Sequence, residues 1–163
     1  MKLLPKSEHH LAFELDEIET QLLEFTLSAY PLAPEPWTVP PTALEDENTP
    51  PPSGAPDPEL LSSSLKEMKA SHQNRMQQFL TGPGFSKNPE GGSRINLPLE
   101  DVDWFMQVLN ELRVASWYRL DCPDEDVEWA GSLKPEQLQE VLRMDFTGMV
   151  LDGILRALEA RGS

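Results

Sequence analysis

Positive charge is missing from a large part of this sequence. None of the residues between Ser7 and Leu65 is a lysine or an arginine, although twelve acidic residues fall in that stretch. The whole chain of 163 residues has a formal net charge of -15 and a pI near 4.4. Because nucleic acids and anionic membranes are bound by clustered cations, this charge argues against both as partners.

Cysteine and long hydrophobic runs are scarce as well. The single cysteine, Cys122, cannot form a disulfide within the chain and has no Cys or His at zinc-binding spacing, which favours a reducing compartment. The N-terminal apolar run is too short for a signal peptide, and no window approaches the roughly 20 apolar residues of a membrane span. We therefore expect a cytoplasmic protein that is neither exported nor inserted into a membrane.

Proline is concentrated in one segment. Ten of the sixteen prolines lie between Pro31 and Pro58, together with an acidic run at residues 45–47. Proline lacks an amide donor and fixes φ, so residues 31–57 are predicted to be an extended, proline-rich acidic connector. We expect one domain over residues 1–163, with this connector inside it.

Four helices are predicted from apolar spacing and capping signals. Asp16 and Glu19 stand at capping-box spacing at the start of the first helix, and Pro58 fits the first position of the second. The third helix is apolar nearly all round and should be central. The expected spans are residues 16–30, 57–81, 100–120 and 132 to near the C-terminus.

Each helix has a predicted inward face. These faces are Ile18, Leu22, Leu23, Phe25 and Leu27 in the first helix, Leu61, Leu65, Met68, His72, Met76 and Phe79 in the second, Val102, Phe105, Val108, Leu109, Leu112, Ala115 and Ser116 in the third, and Leu138, Val141, Leu142, Met149, Val150, Ile154 and Leu158 in the fourth.

Gly148 and Gly153 interrupt the fourth helix, which predicts close backbone contact with the third.

Two short segments alternate as strands do. Residues 11–15 precede the first helix and residues 94–97 precede the third, and we expect them to pair at most as a two-stranded hook. Residues 83–93 are rich in Gly and Pro, which predicts a mobile loop. The predicted fold class is all-α: a small four-helix bundle-like domain with a proline-rich connector.

Polar side chains on the two central helices are the candidate binding residues. Asn110 and Arg113 are three residues apart on the third helix, and Asp145 and Asp152 are two turns apart on the fourth. One interpretation is a site between these helices, in which Arg113 holds a small anion and the aspartates act as general acid or base. The other, which we favour, is a structural ion pair between Arg113 and one aspartate, because no catalytic partner accompanies them.

The sequence gives no support for a metal or a cofactor. His9 and His10 are adjacent and point apart, and His72 lies on the apolar face of the second helix, which indicates a core histidine. Glu67 precedes His72 by five residues, so the Glu-x-x-His pattern of di-iron bundles is absent. We expect no cofactor, no metal site and no enzymatic activity.

A positive strip lies on the second helix. Lys66, Lys69 and Arg75 fall within three turns and are interrupted by one acid, Glu67. The strip could dock an acidic partner or the chain's own acidic connector, and the connector is the nearer candidate. A solvated helix face is the simplest alternative.

Two segments carry a resemblance to a known family. The run from Arg94 to Ser116 and the opening from Phe13 to Leu23 resemble a bacterial family catalogued as domain of unknown function number twenty-seventeen. The matching motif residues are Trp104, Asn110, Glu111, Leu112 and Arg113. The resemblance implies no established activity, and because some members lie near genes for the adaptor of the Clp protease, it implies a regulatory role linked to proteolysis.

Together these features predict a cytosolic, non-enzymatic protein that binds another protein. The binding surface would be the connector or the groove beside Asn110 and Arg113. The alternative is a small-anion-binding protein or enzyme that uses the site between the third and fourth helices. A homodimer through Trp104, Trp117 and Tyr118 is compatible with either.

Overall fold

The structure, a computed structural model, describes residues 1–5, 7–32, 58–121, 123 and 133–162. The predicted connector therefore lies outside the described residues, apart from its first two. The strands and helices are, in chain order, β1 Lys2–Leu3, β2 His10–Leu15, α1 Glu17–Ser28, α2 Pro58–Thr81, β3 Phe85–Lys87, β4 Ser93–Pro98, α3 Val102–Arg119 and α4 Pro135–Gly162.

One antiparallel sheet contains all four strands, in the order β1, β2, β4, β3. In its centre Leu11 pairs with Leu97 and Phe13 pairs with Ile95, so the predicted pairing of the two alternating segments is confirmed. Alternate residues share a face of a sheet, and here one face is buried against the helices. The buried side chains of that face are Leu11, Phe13, Leu15, Phe85, Ser93, Ile95 and Leu97.

The predicted all-α class is wrong, because the described residues form a mixed α/β fold with four helices and a four-stranded sheet. The two strands that were missed, β1 and β3, are only two and three residues long, too short for an alternating pattern to be visible. β3 lies in the stretch predicted to be a mobile loop. A turn joins it to β4, in which Gly91 has a φ of 94° that favours glycine.

α1 begins where the capping signal predicts. The side chain of Asp16 accepts a hydrogen bond from the backbone N of Glu19 at 2.8 Å, and Oε2 of Glu19 accepts one from the backbone N of Asp16 at 3.0 Å. This reciprocal pair satisfies two amide donors that the first turn leaves without partners. The predicted capping box is confirmed.

The buried face of α1 differs from the predicted one. Leu23 and Leu27 are buried as expected, but Ile18 is 70% exposed. The helix instead turns Thr20 inward, where its hydroxyl lies 2.8 Å from Oγ of Ser93 in β4. The side of α1 that carries Thr20 therefore faces β4, and the side that carries Ile18 faces solvent.

α3 and α4 pack side by side. They run in opposite directions, because Arg119 at the end of α3 contacts Glu140 near the start of α4, whereas the earlier Arg113 approaches the later Gly148. Most of the predicted inward residues are buried, although Leu138, Leu142 and Met149 are exposed. The buried apolar side chains are Val102, Trp104, Phe105, Val108, Leu109 and Leu112 in α3 and Val141, Phe146, Val150, Leu151, Ile154 and Ala157 in α4.

Of the two glycines that the sequence singled out in α4, Gly148 has the predicted neighbour, α3, and Gly153 does not. A side chain at Gly153 would collide with Met1, so the close neighbour there is the N-terminal segment rather than α3. A Cβ at Gly148 would lie 3.9 Å from Nε of Arg113, which is an ordinary contact. α3 thus approaches Gly148 through a side chain and not through its backbone.

Candidate functional site

The polar residues of the predicted site lie on the surface rather than in the interior. Asn110 and Arg113 are exposed on α3, and Asp145 and Asp152 are exposed on α4. Asp152 pairs with Arg156 one turn further along the same helix, with Oδ2 and Nε 2.8 Å apart. The guanidinium of Arg113 approaches Gly148, which lies between the two aspartates along α4, but within the described residues Arg113 forms no ion pair.

Trp104, the fifth predicted residue, lies in the core between α3 and α2. Its indole meets Phe79 of α2 edge-on, with ring centroids 6.3 Å apart. The guanidinium of Arg75, also in α2, lies 4.7 Å from the centre of the indole ring and pairs with Asp101 as well. Trp104 therefore attaches the C-terminal half of α2 to α3, and it is too buried to contribute to the predicted dimer surface.

A polar cluster that was not predicted connects Tyr30, which follows α1, with His72 of α2 and Glu111 of α3. The hydroxyl of Tyr30 donates a hydrogen bond to Oε2 of Glu111 at 3.0 Å and lies 3.3 Å from Nδ1 of His72. A hydroxyl has one proton, so when Tyr30 donates to Glu111, the Tyr30 oxygen can only accept from Nδ1 of His72.

The Tyr30 hydroxyl is held in its protonated form. Burial, supplemented by the neighbouring carboxylate of Glu111, raises the pKa of Tyr30 well above its usual value. An ionised Tyr30 is therefore disfavoured, which argues against a nucleophilic role. The cluster is a structural junction between the chain after α1 and the facing sides of α2 and α3.

Replacing Tyr30 by phenylalanine should lower the free energy of unfolding at pH 7 by about 1.5 kcal/mol, because a hydrogen bond to a charged acceptor is lost. A phenol whose pKa is raised on folding stabilises the native state fully below pH about 10 and loses that contribution as the pH rises further. Denaturant titrations should therefore show the gap between wild type and Tyr30→Phe shrinking above pH about 10. A constant gap from neutral to strongly alkaline pH would contradict this assignment.

Next to this cluster is a small cleft. Lys69 of α2 and Ala115 of α3 line it, together with Pro31 and Leu32 of the chain after α1. The cleft has a volume of about 20 Å³, which is room for roughly one water molecule. It is therefore too small to be a substrate pocket.

Beyond this cleft the apolar face of α2 is uncovered. Leu61, Leu65 and Met68, which we call the α2 stripe, are 44%, 42% and 41% exposed. Their spacing of four and three residues places them on the same face as Phe79, which is buried further along the helix. The prediction that this whole face is inward is wrong for its N-terminal half, because α2 reaches beyond the body that covers its C-terminal half.

One edge of the α2 stripe is positively charged. Lys66 and Lys69 are three residues apart on α2, so their side chains lie on one side of the helix. Neither lysine forms an ion pair with another described residue, whereas Arg75 of the same helix is paired with Asp101. The exposed apolar side chains of the stripe are thus accompanied on one side by the exposed Lys66 and the half-buried Lys69.

No family model matches the chain, and no curated protein or solved structure is significantly similar to it. The resemblance to the uncharacterised bacterial family therefore stays a prediction.

Neither a metal site nor a membrane span is found in the part of the chain that the structure describes. Its His, Cys, Asp and Glu residues form no group of three or more that could hold a metal ion. None of its helices combines the length and the apolar character needed to cross a bilayer.

The sequence offered partial signals for these features. Glu111 belongs to the motif that carries the family resemblance, and His72 was placed on the apolar face of the second helix. Tyr30 had no signal, because its partners are 42 and 81 residues away along the chain. The three serines at residues 62–64 could have indicated that the start of α2 is exposed, since serine is mostly found at surfaces.

Proposed function

We propose that this chain is a non-enzymatic, cytoplasmic protein-binding protein and that the α2 stripe is the surface that contacts its partner. The observation that carries the proposal is the exposure of Leu61, Leu65 and Met68 in line on one helix. Adjacent exposed apolar side chains with polar surroundings mark interaction sites, because leaving them in water is unfavourable.

Charge supports a protein rather than a nucleic acid or a membrane as the partner. The net charge of -15 disfavours approach to phosphate-bearing surfaces. A role linked to proteolysis, which the family resemblance implies, is part of the same proposal. The connector at residues 31–57 could contribute to binding, although the proposal does not depend on it.

The alternative of a small-anion-binding protein or enzyme is not supported by these features. Arg113, Asn110, Asp145 and Asp152 are all exposed. An anion site depends on convergent donors that are shielded from water. The protein-binding proposal instead rests on exposed apolar side chains, whose contact with water is unfavourable.

The test is affinity capture from native lysate with three forms of the tagged chain. We expect a protein that is captured by wild type and lost with Leu65→Asp/Met68→Asp, because each aspartate would place a charge in the apolar contact. The matched control is Leu138→Asp/Leu155→Asp, which alters two similarly exposed leucines of α4 and should retain that protein.

Circular dichroism and thermal unfolding would verify that all three forms are folded. Capture that is equal for the wild type and the α2 variant would refute the proposal.

A further inference from the structure

The edges of the α2 stripe differ in charge. Lys69 follows Leu65 by four residues and so borders the stripe directly, and Lys66, three residues before Lys69, lies further round the same side of the helix. The opposite edge carries Ser64, Ser71 and the acid Glu67. In a chain of net charge -15, two cations on one side of an exposed apolar row form a local exception that a partner can recognise.

We propose that the α2 stripe binds an amphipathic helix of another protein, and that acidic residues border the apolar face of that helix. The inference rests on the proposed function and adds the chemistry of the partner. Acidic side chains would pair with Lys66 and Lys69, neither of which is neutralised by a described residue. A basic helix would meet like charge at this edge.

The spacing of the site favours a helix over an extended peptide. Leu61, Leu65 and Met68 follow one another at intervals of four and three residues, and all three are exposed. Apolar residues at spacings of three and four are the features that a helix in a groove engages. Strand addition needs a long free sheet edge, and the outer strands β1 and β3 have only two and three residues.

The probe is a fluorescein-labelled alanine-based helical peptide of about 20 residues, with leucines at spacings of three and four and glutamates along one border. Fluorescence anisotropy at about 0.15 M salt would give its dissociation constant for the full chain. We expect Lys66→Glu/Lys69→Glu to weaken binding about ten-fold, because two attractive charge pairs become repulsive.

The matched control is Lys2→Glu/Lys87→Glu. These lysines are exposed on the outer strands of the sheet, and their replacement changes the net charge equally. Binding to this control should stay within about two-fold of wild type, because charges beyond a Debye length are largely screened. An equal loss in both double variants, or no loss in either, would overturn the acidic chemistry, as would failure of the peptide to bind wild type.

Leu65→Asp/Met68→Asp separates this inference from the proposed function. If these substitutions abolish peptide binding while Lys66→Glu/Lys69→Glu does not weaken it, the stripe is a binding surface but its partner is not acidic. If neither pair has an effect, both proposals fail.

Two other occupants would also overturn the inference, and each has its own signature. A dimer in light scattering that Leu65→Asp/Met68→Asp converts to a monomer would identify a second copy of this chain. Peptide binding that occurs only after residues 33–57 are replaced by a Gly/Ser linker would show that the chain itself competes for the stripe. A monomer that binds the acidic peptide with residues 33–57 intact supports the proposal.

Discussion

Replacing Glu140 by alanine is expected to lower the free energy of unfolding by about 3–5 kcal/mol. Its Oε2 lies 2.7 Å from Nη1 of Arg143, and the two side chains are only 13% and 6% exposed. The guanidinium of Arg143 also lies 4.7 Å from the centre of the Phe25 ring, and its Nε has no hydrogen-bond partner among the described residues. Because arginine cannot lose its proton, the alanine variant would retain a buried charge without a carboxylate.

Asp152→Ala is the control for this prediction. Asp152 also pairs with an arginine on α4, but the side chains of that pair are 60% and 76% exposed. Exposed pairs contribute about 0–1 kcal/mol, because water solvates both charges. Similar losses for Glu140→Ala and Asp152→Ala in urea unfolding would show that Arg143 is not effectively buried.

The double variant Glu140→Leu/Arg143→Met would confirm the cause. Removing both charges and filling the space with apolar atoms is often neutral or stabilising, because the free-energy cost of removing two charges from water on folding disappears. Arg119 also loses its contact with Glu140, but this arginine is 44% exposed and remains solvated. We therefore expect the double variant to be more stable than Glu140→Ala alone.

Replacing Phe13 by alanine is expected to cost about 3–5 kcal/mol of stability, because it removes a large side chain and leaves a cavity. Phe13 lies in β2 opposite Ile95 of β4, and both are almost completely buried in the hydrophobic core. The sequence assigned this segment to a minor hook, whereas the structure places it at the centre of the sheet. The size of the loss therefore tests the corrected fold.

Ile18→Ala is the contrasting variant. The spacing of α1 predicted that Ile18 faces inward, but its exposure indicates that truncation should change stability by less than about 0.5 kcal/mol. Both variants are measured by chemical unfolding under the same conditions. A larger loss for Ile18→Ala than for Phe13→Ala would contradict the arrangement of α1 and β2.

Local signals located most element boundaries correctly. The capping box of Asp16 and Glu19 starts α1, and Pro58 begins α2 as predicted. These signals act within a few residues, so they are visible without knowledge of the fold. The pairing of residues 11–15 with 94–97 was also found, because both segments are long enough to alternate.

The sides of the helices were harder to predict than their ends. An apolar row on a helix indicates that some face can be buried, but whether a neighbour reaches it depends on elements far away in the chain. Thr20 was overlooked because its partner, Ser93, belongs to β4. In α2, Phe79 is covered and Leu65 is not, although both lie on the same row.

For the candidate site too, the sequence supplied the residues but packing decided which of them are exposed. The sequence contained the apolar residues of the α2 stripe and the lysines beside it, but the spacing assigned the apolar residues to the core. It also drew attention to Arg113 and the aspartates of α4, which the structure leaves on the surface. Polar residues on two adjacent helices do not reveal whether they face each other, since helix rotation is set by packing.

The sequence alone was sufficient to predict the strong negative charge, the ends of most helices and the positions of the two longest strands. Each of these depends on composition or on neighbours a few positions away. The folded chain was needed to show the full sheet, the junction at Tyr30 and the uncovered half of α2. These features depend on which distant segments come together, because burial is a property of the whole packed molecule and not of any one segment.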